Sequence, residues 1–484
     1  MSRLSLSRRL TVLATAAAIG MSAGTTVSQA AAQRAAAPGL GHWTELGKTQ
    51  NAPPELWLGP DHRAWIVWSP PPHGVYKLAI VSPTGKVGKP STIIKGWGGV
   101  SFQPTLLSNG KSPLLIFSGQ KSTTGSLSQG CVVGALPGSP QWQVQTWSLS
   151  NNCVFSNVGY GDAAETKSGV LSAGWSGGAG VEYRNGKSPT IPATGKDSQI
   201  TLTLSHGGSV ALANNAAGNG HTSLAFYRFF SKNAGKDGVY VKDLNASSAP
   251  AKAPKSGTNS QQNSAQRIAM ASPNAHGGGI YVAYCTNKPN CPTYLLWKAG
   301  AKNAITVPGT KAAIGLTMST GPDGRLWLAW YNETQNRVVV IRTNKADSRF
   351  GPARSFPVAK QCIQSGNTHL ALTGGNSGRV VVGLTCLNGQ AAVAFVTQSE
   401  ASLSISAKPG KITNTHSNKV TFTVNDAGDP VAGAKVKIAG KTLTTSKKGT
   451  VSFTFAKGAK PGTYTATASA TDYFSGTTTV KVSS

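Results

Sequence analysis

Acidic side chains are what this chain has least of. Sixteen Asp and Glu stand against 46 Lys and Arg in 484 residues, a formal net charge of +30. Hydrolytic chemistry built on paired carboxylates therefore has few residues to draw on. Charged residues of both signs reach only 13%, and the amphipathic rows of Ala, Leu, Glu and Lys that long helices need are missing beyond the N-terminal segment. Methionine is scarce too, four residues against 57 glycines, a balance that fits short strands and tight turns. No Cys-x-x-Cys occurs and the eight His are scattered without ligand spacing, so a zinc site is not expected. Neither a metal nor any cofactor is called for. Past the N-terminal segment no apolar run reaches the length of about 18 residues that a membrane helix requires, and the C-terminus carries no anchor motif.

What is present begins with an export signal. Arg3, Arg8 and Arg9 form a positive n-region, and Leu10 to Met21 is apolar but too short to span a bilayer. Ser28-Gln29-Ala30 follows as a small-x-small cleavage site, so residues 1–30 read as a bacterial secretion signal and 31–41 as a flexible Ala-rich segment. Arg8-Arg9 leaves twin-arginine export open beside the general route. The mature chain is expected outside the cell or on its wall, as a monomer without a membrane anchor.

From residue 42 to 399 one hairpin recurs: an apolar strand, a turn with Gly, Asp or Asn, and a second apolar strand often ending in an aromatic. Its copies start near Glu55, Gln103, Ala164, Ile200, Ile268, Gly315 and Leu370. Further strand-like runs follow most of them, such as Tyr76–Val81 and Arg337–Arg342. Four strands per repeat of about 40 to 60 residues describe the blade of a β-propeller. Seven blades are expected, with six open as the alternative because the third copy is weak. The last copy is one strand short, and His42-Trp-Thr-Glu-Leu46 can supply the missing outer strand. The aromatic register Trp68, Phe117, Trp175, Tyr284 and Trp330 is expected to pack between blades, while His73, Asn215 and Tyr331, just beyond it, are candidates for ligand contacts at a rim.

Six cysteines in an exported chain imply disulfides. Proximity favours Cys131–Cys153, Cys285–Cys291 and Cys362–Cys386. In the expected strand order all six fall at one rim: at the ends of second strands, the starts of third strands, or just outside first and fourth strands.

The stretch Pro322-Asp-Gly-Arg-Leu-Trp-Leu-Ala-Trp-Tyr331, followed by Thr343-Asn-Lys-Ala-Asp-Ser-Arg-Phe-Gly-Pro352, resembles the sialidase-like, Asp-box propeller superfamily. The second piece is a worn version of that family's Ser-x-Asp-x-Gly-x-Thr-Trp turn, with Arg349 near the place of its Gly. The resemblance implies a propeller but not the activity. Sialidase chemistry needs three converging Arg, and among inner-strand starts only Arg267 is present. Gly174-Trp-Ser-Gly-Gly178 matches the Gly-x-Ser-x-Gly pattern at the end of a hairpin with no helix after it, outside the context in which that motif works. A different hydrolase or lyase would draw on Asp162, Glu165 and Asp197, each read as lying at or near a first strand by the channel mouth; Glu55 sits in another blade. Such chemistry needs two carboxylates about 5–10 Å apart.

Residues 400–484 alternate at period two through Val420–Val424, Ala434–Ile438, Thr450–Phe455, Thr463–Ala468 and Thr477–Val482. Gly428-Asp-Pro-Val-Ala-Gly-Ala-Lys-Val436, with Gly449 and Gly462-Thr-Tyr464, resembles bacterial immunoglobulin-like or carboxypeptidase-regulatory-like surface modules, and the strand pattern is that of a β-sandwich, here without cysteines. From residue 401 on, eleven Lys against Asp426, Asp429 and Asp472 make this tail basic. A basic exported chain attracts anionic polymers. The expected partner is an extracellular glycan or an anionic cell-wall polymer and not a specific nucleic acid, with Arg267, His73, Asn215 and Tyr331 as rim contacts. A recognition protein without catalysis is the leading expectation, and a polysaccharide hydrolase or lyase the alternative.

Overall fold

The computed structural model describes residues 41–484 apart from short stretches at 51–52, 72–74, 97–103, 109–112, 120–130, 148–160, 167–169, 178–179, 188–197, 202–209, 231, 261–266, 274–277, 289–290, 363–367, 376–377 and 390. Among the described residues every regular element is a strand, except two single turns of 3-10 helix.

Strands Glu55–Leu58, Ala64–Trp68, Tyr76–Val81 and Ser91–Ile94 form an antiparallel sheet in chain order. Five more sheets repeat that order between Thr105 and Trp147, Gly161 and Thr201, Val210 and Lys252, Ala269 and Thr306, and Ala313 and Pro357. A seventh takes His369–Gly374, Arg379–Asn388 and Ala391–Ser402 from late in the chain and its outer strand, Thr44–Thr49, from early in it. Thr44 faces Val396 and Thr49 faces Ala392. The early strand covers an edge that would otherwise expose unpaired N–H and C=O groups. It is pinned by Trp43, whose Nε1 donates to the Pro357 carbonyl at 2.8 Å while its ring lies against Phe356.

The first strands of successive sheets adjoin, and the first strand of the seventh sheet adjoins that of the first. Apolar clusters fill the spaces between neighbours. Leu56, Ile66 and Trp68 meet Ala371, Val381 and Val396 between sheets one and seven, and Tyr281, Ala283 and Leu296 meet Leu328 and Trp330 between sheets five and six. Of the aromatic register, Trp68, Phe117, Tyr284 and Trp330 are fully buried in these clusters.

The fourth repeat is a correction. Ile200–Leu204 reads as a first strand, but Ser198–Thr201 pairs with Gly180–Lys187 as the outer strand of the third sheet. The first strand of the fourth sheet is Val210–Asn214, which the repeat pattern takes for a second strand. Inner and outer strands of such a sheet both alternate apolar and polar residues, so periodicity alone does not tell them apart.

Cys285–Cys291 and Cys362–Cys386 are disulfide-bonded, with Cα separations of 5.3 and 5.5 Å. Cys131 begins the third strand of the second sheet, and Cys153 lies outside the described residues. Two such bonds fit an oxidising compartment. The Cys362–Cys386 bond closes a separation of 24 residues and the other one of only 6. Opening the longer loop is expected to cost about 3 kcal/mol. A Cys362→Ala/Cys386→Ala variant should melt several degrees below the parent, and a Cys285→Ala/Cys291→Ala variant should melt closer to it. Calorimetry on the two variants checks the order.

Beyond Leu403 two sheets face one another. One contains Ser404–Lys408, Asn418–Asp426, Asp429–Pro430 and Thr450–Phe455, and the other Lys411–Thr413, Gly476–Ser483, Gly462–Ser469, Lys435–Ile438 and Lys441–Thr444. Val420, Phe422 and Val424 of the first pack on Val436, Ala466, Ala468 and Val480 of the second. Strand Ala391–Ser402 runs across the expected boundary at 399–400, and its end pairs in parallel with Tyr473–Phe474. In place of a linker there is a shared strand.

A buried cluster of charges joins the two parts. Asp426 is 1% exposed and ion-pairs with both Arg325 and Arg342, which are 5% and 2% exposed. Arg342 also reaches Asp323 at 3.2 Å, and Arg325 reaches Asp429 at 2.8 Å. The Arg342 guanidinium lies over the rings of Trp327 and Tyr473 and donates to the Tyr473 hydroxyl at 2.7 Å. Burial alone would pull its pKa down, and the Asp426 and Asp323 carboxylates reverse that, leaving it raised. The turn that resembles an Asp box takes part. Thr343 donates to the carboxylate of Asp347, Asn344 Oδ1 accepts from the N–H groups of Ser348 and Arg349, and Lys345 N–H donates to Asp429 at 2.8 Å.

Candidate functional site

The first strands of all seven sheets enclose a cavity of about 450 Å³, a size that suits a small ligand. Most of its wall is small or aliphatic, from residues such as Ala163, Ala211, Ala269, Leu316 and Ala371. Small side chains are required because seven strands converge on one axis. The cavity's charged residues stand where first strands begin: Glu55 is first in its strand, Asp162 is second, and Arg267 lies two residues ahead of Ala269–Ala271, while Asn214, Ser272, Ser319 and Thr320 line the opposite end; His369 opens His369–Gly374 beside Arg267. Antiparallel order brings second-strand ends and third-strand starts to this same rim, which therefore also carries both described disulfides. The tail docks at the opposite rim, through Arg325, Arg342 and Arg379.

Arg267 and His369 meet inside the channel wall. The Arg267 Nη2 lies 3.0 Å from His369 Nδ1. A guanidinium can only donate, so His369 accepts and is neutral with its proton on Nε2. Burial and then the Arg267 charge hold its pKa down at about 3.

Asp162 is held from three directions. Its Oδ1 accepts from Ala163 N–H at 2.8 Å and from the Thr105 hydroxyl at 3.3 Å, and its Oδ2 accepts from Leu212 N–H at 2.6 Å. Thr105 belongs to the second sheet, Asp162 to the third and Leu212 to the fourth, so one carboxylate ties three neighbouring sheets. Burial raises its pKa to about 6 against the lowering effect of these donors.

The other sequence candidates divide. The backbone of Glu165 ends strand Gly161–Glu165, three residues beyond Asp162. Asp197 and His73 lie outside the described residues, and the strand after Asp197 is an outer strand, not the first strand expected there. Asn215 is not at the cysteine rim. It sits in the turn between first and second strands of the fourth sheet, at the opposite end, where its Oδ1 accepts from Gly279 N–H at 2.7 Å. The misplaced fourth repeat accounts for this. Tyr331 is 1% exposed and donates to Asn336 Oδ1 at 2.9 Å, so it packs instead of facing solvent. Sequence reasoning missed His369 and the cluster around Asp426. A His at the start of an apolar strand was the available signal for the first.

No protein-family model matches the sequence, and no curated protein matches it. Among solved structures the chain is similar to BP39L lectin from Burkholderia pseudomallei at 12% identity and a TM-score of 0.53, a match covering 72% of this chain and 96% of the lectin. The chain folds as a β-propeller. It also aligns with an α-L-arabinanase of Penicillium chrysogenum complexed with arabinobiose (13% identity, TM-score 0.41, covering 74% of this chain and 97% of that one). Polysaccharide lyase Uly1 gives 11% identity, a TM-score of 0.42, and coverage of 72% and 90%. TM-scores this low add nothing to the fold assignment.

Proposed function

We propose that this is a secreted recognition protein whose propeller binds a glycan or an anionic envelope polymer at the disulfide-bearing rim without turning it over. In this reading residues 1–30 are the secretion signal, each of the seven sheets is one blade, and residues 400–484 are an immunoglobulin-like module that adds attachment. The lectin with the same fold fits this class of function. The observation that carries the reading is Asp162. Both oxygens of this carboxylate accept from N–H and O–H donors of three sheets, which supports a structural part for it in the cavity wall. Arg267 and Glu55 are further polar groups of the cavity wall.

The rival reading, a polysaccharide hydrolase or lyase, draws on one specific observation: a carboxyl with its pKa raised to about 6, where a general acid operates. Glycan-array binding and pull-down on isolated cell walls, across a range of ionic strength, test the recognition reading. Retention is expected, weaker for Arg267→Ala than for the parent. Absence of retention at every ionic strength would overturn it.

A further inference from the structure

The tail's charges are segregated. Its four acidic side chains all pair with propeller arginines: Asp426 with Arg325 and Arg342, Asp429 with Arg325 at 2.8 Å, and Asp472 and Glu400 with Arg379 at 2.9 and 3.6 Å. Its eleven lysines are all exposed, and among the described residues none lies within 4.0 Å of a carboxylate. Docking thus neutralises every acid of the tail and leaves every base facing solvent.

Four of these lysines share one face. In the five-stranded sheet, Ile412, Val436, Ile438, Val480 and Val482 turn inward and are buried, so their neighbours Lys411, Lys435, Lys437 and Lys481 turn outward. Lys411 lies beside Lys481, and Lys481 beside Thr463. Lys437 lies beside Thr467 and Thr442, and Lys435 beside Ser469 and Thr444, to whose hydroxyl its Nζ donates at 2.8 Å. Between the two lysine pairs stand the paired hydroxyls of Thr465 and Thr479, and of Thr467 and Thr477. Strand spacing puts Lys481 and Lys437 about 16 Å apart on a diagonal across this hydroxyl field.

We propose that this face binds a linear polymer of phosphodiester-linked polyols. Lysine is a compact point charge suited to isolated phosphates and lacks the planar fork with which arginine reads paired acceptors. Threonine and serine hydroxyls both donate and accept, as polyol hydroxyls do. No aromatic ring stands on the outward positions, so the face offers no platform on which nucleic-acid bases would stack. The inference rests on the tail alone and stands apart from the reading of the propeller.

The test is binding of the full chain to immobilised synthetic poly(glycerol phosphate). Four phosphate contacts on a flexible chain are expected to give a slope of log K against log salt of about −3. The variant Lys411→Glu/Lys435→Glu/Lys437→Glu/Lys481→Glu should lose binding about a hundredfold. Its Lys→Gln counterpart, which adds no repulsion, should lose about tenfold. A control with the same change in net charge, Lys447→Glu/Lys448→Glu/Lys457→Glu/Lys460→Glu, alters exposed turn lysines and should lose no more than about threefold. Melting temperatures separate lost binding from lost folding, and glycan retention by the propeller should be unchanged in all three. Equal losses in the two Glu sets, or no binding by the parent, would overturn the proposal. Single-stranded oligo(dT) of equal charge bound as tightly would show a generic polyanion surface and overturn the polyol-phosphate assignment.

Discussion

Asp426→Asn is expected to destabilise the protein by about 3–5 kcal/mol, the usual cost of removing one partner from a buried ion cluster. The carboxylate is 1% exposed and is the anion shared at close range by two buried guanidiniums, so its loss leaves Arg342 to Asp323, and Arg325 to Asp323 and Asp429, all partly exposed carboxylates. The Tyr473 hydroxyl, which donates to Asp426 Oδ2 at 3.2 Å and accepts from Arg342 at 2.7 Å, would lose its acceptor as well. Asp429→Asn removes a carboxylate whose side chain is 23% exposed, and its cost should stay near 1 kcal/mol. Urea denaturation followed by tryptophan fluorescence suits the test, because the Arg342 guanidinium lies 5.1 Å from the Trp327 ring centroid. The parent should unfold in one transition. In Asp426→Asn the propeller should separate from the tail, giving two transitions. A loss below about 1 kcal/mol with one transition retained would show that the cluster does not couple the two parts.

Acid should reveal two channel residues pulling in opposite directions. His369 titrates at about 3 when folded against 6.5 in its ordinary state. Between those values the unfolded chain binds a proton that the folded chain does not, so stability falls as pH falls, by about 5 kcal/mol over the whole span. Asp162 titrates at about 6 against 3.8. There the folded chain binds the extra proton, and stability rises by about 3 kcal/mol as pH falls through that window. The two nearly cancel between about pH 4 and 6, and only the His369 loss continues below. Relative to the parent, His369→Gln should gain stability as pH falls from 6 to 4, and Asp162→Asn should lose it. Denaturation midpoints across pH for the three proteins check this. Superimposable difference profiles would show that neither group is buried in the channel as described.

The propeller was legible because a repeated hairpin with an aromatic at one position states both strand number and packing. The outer strand near Trp43 was legible for a related reason, since the last copy lacked a strand and an unassigned apolar segment stood ready. The fourth repeat misled because Ile200-Thr-Leu-Thr-Leu204 alternates as well as any inner strand. Ala251–Lys252 is the outer strand of the fourth sheet, and two exposed residues carry no periodicity that would announce it. The cluster around Asp426 was illegible in principle, since its pairings join residues 84 and 101 positions apart and no local pattern announces them. Asp162 was placed correctly near the channel, yet its part as a tie between sheets depends on the backbone N–H of Leu212, which no side-chain pattern encodes.

Recognition without turnover is the central claim, and chain length tests it most directly. A polysaccharide retained by the protein should be incubated with the parent and with Asp162→Asn, and its size distribution followed by mass spectrometry or size-exclusion chromatography. The expected result is retention with no shortening and no new reducing or unsaturated ends in either sample. Progressive shortening by the parent, abolished in a folded Asp162→Asn variant, would contradict the claim and make Asp162 a catalytic residue.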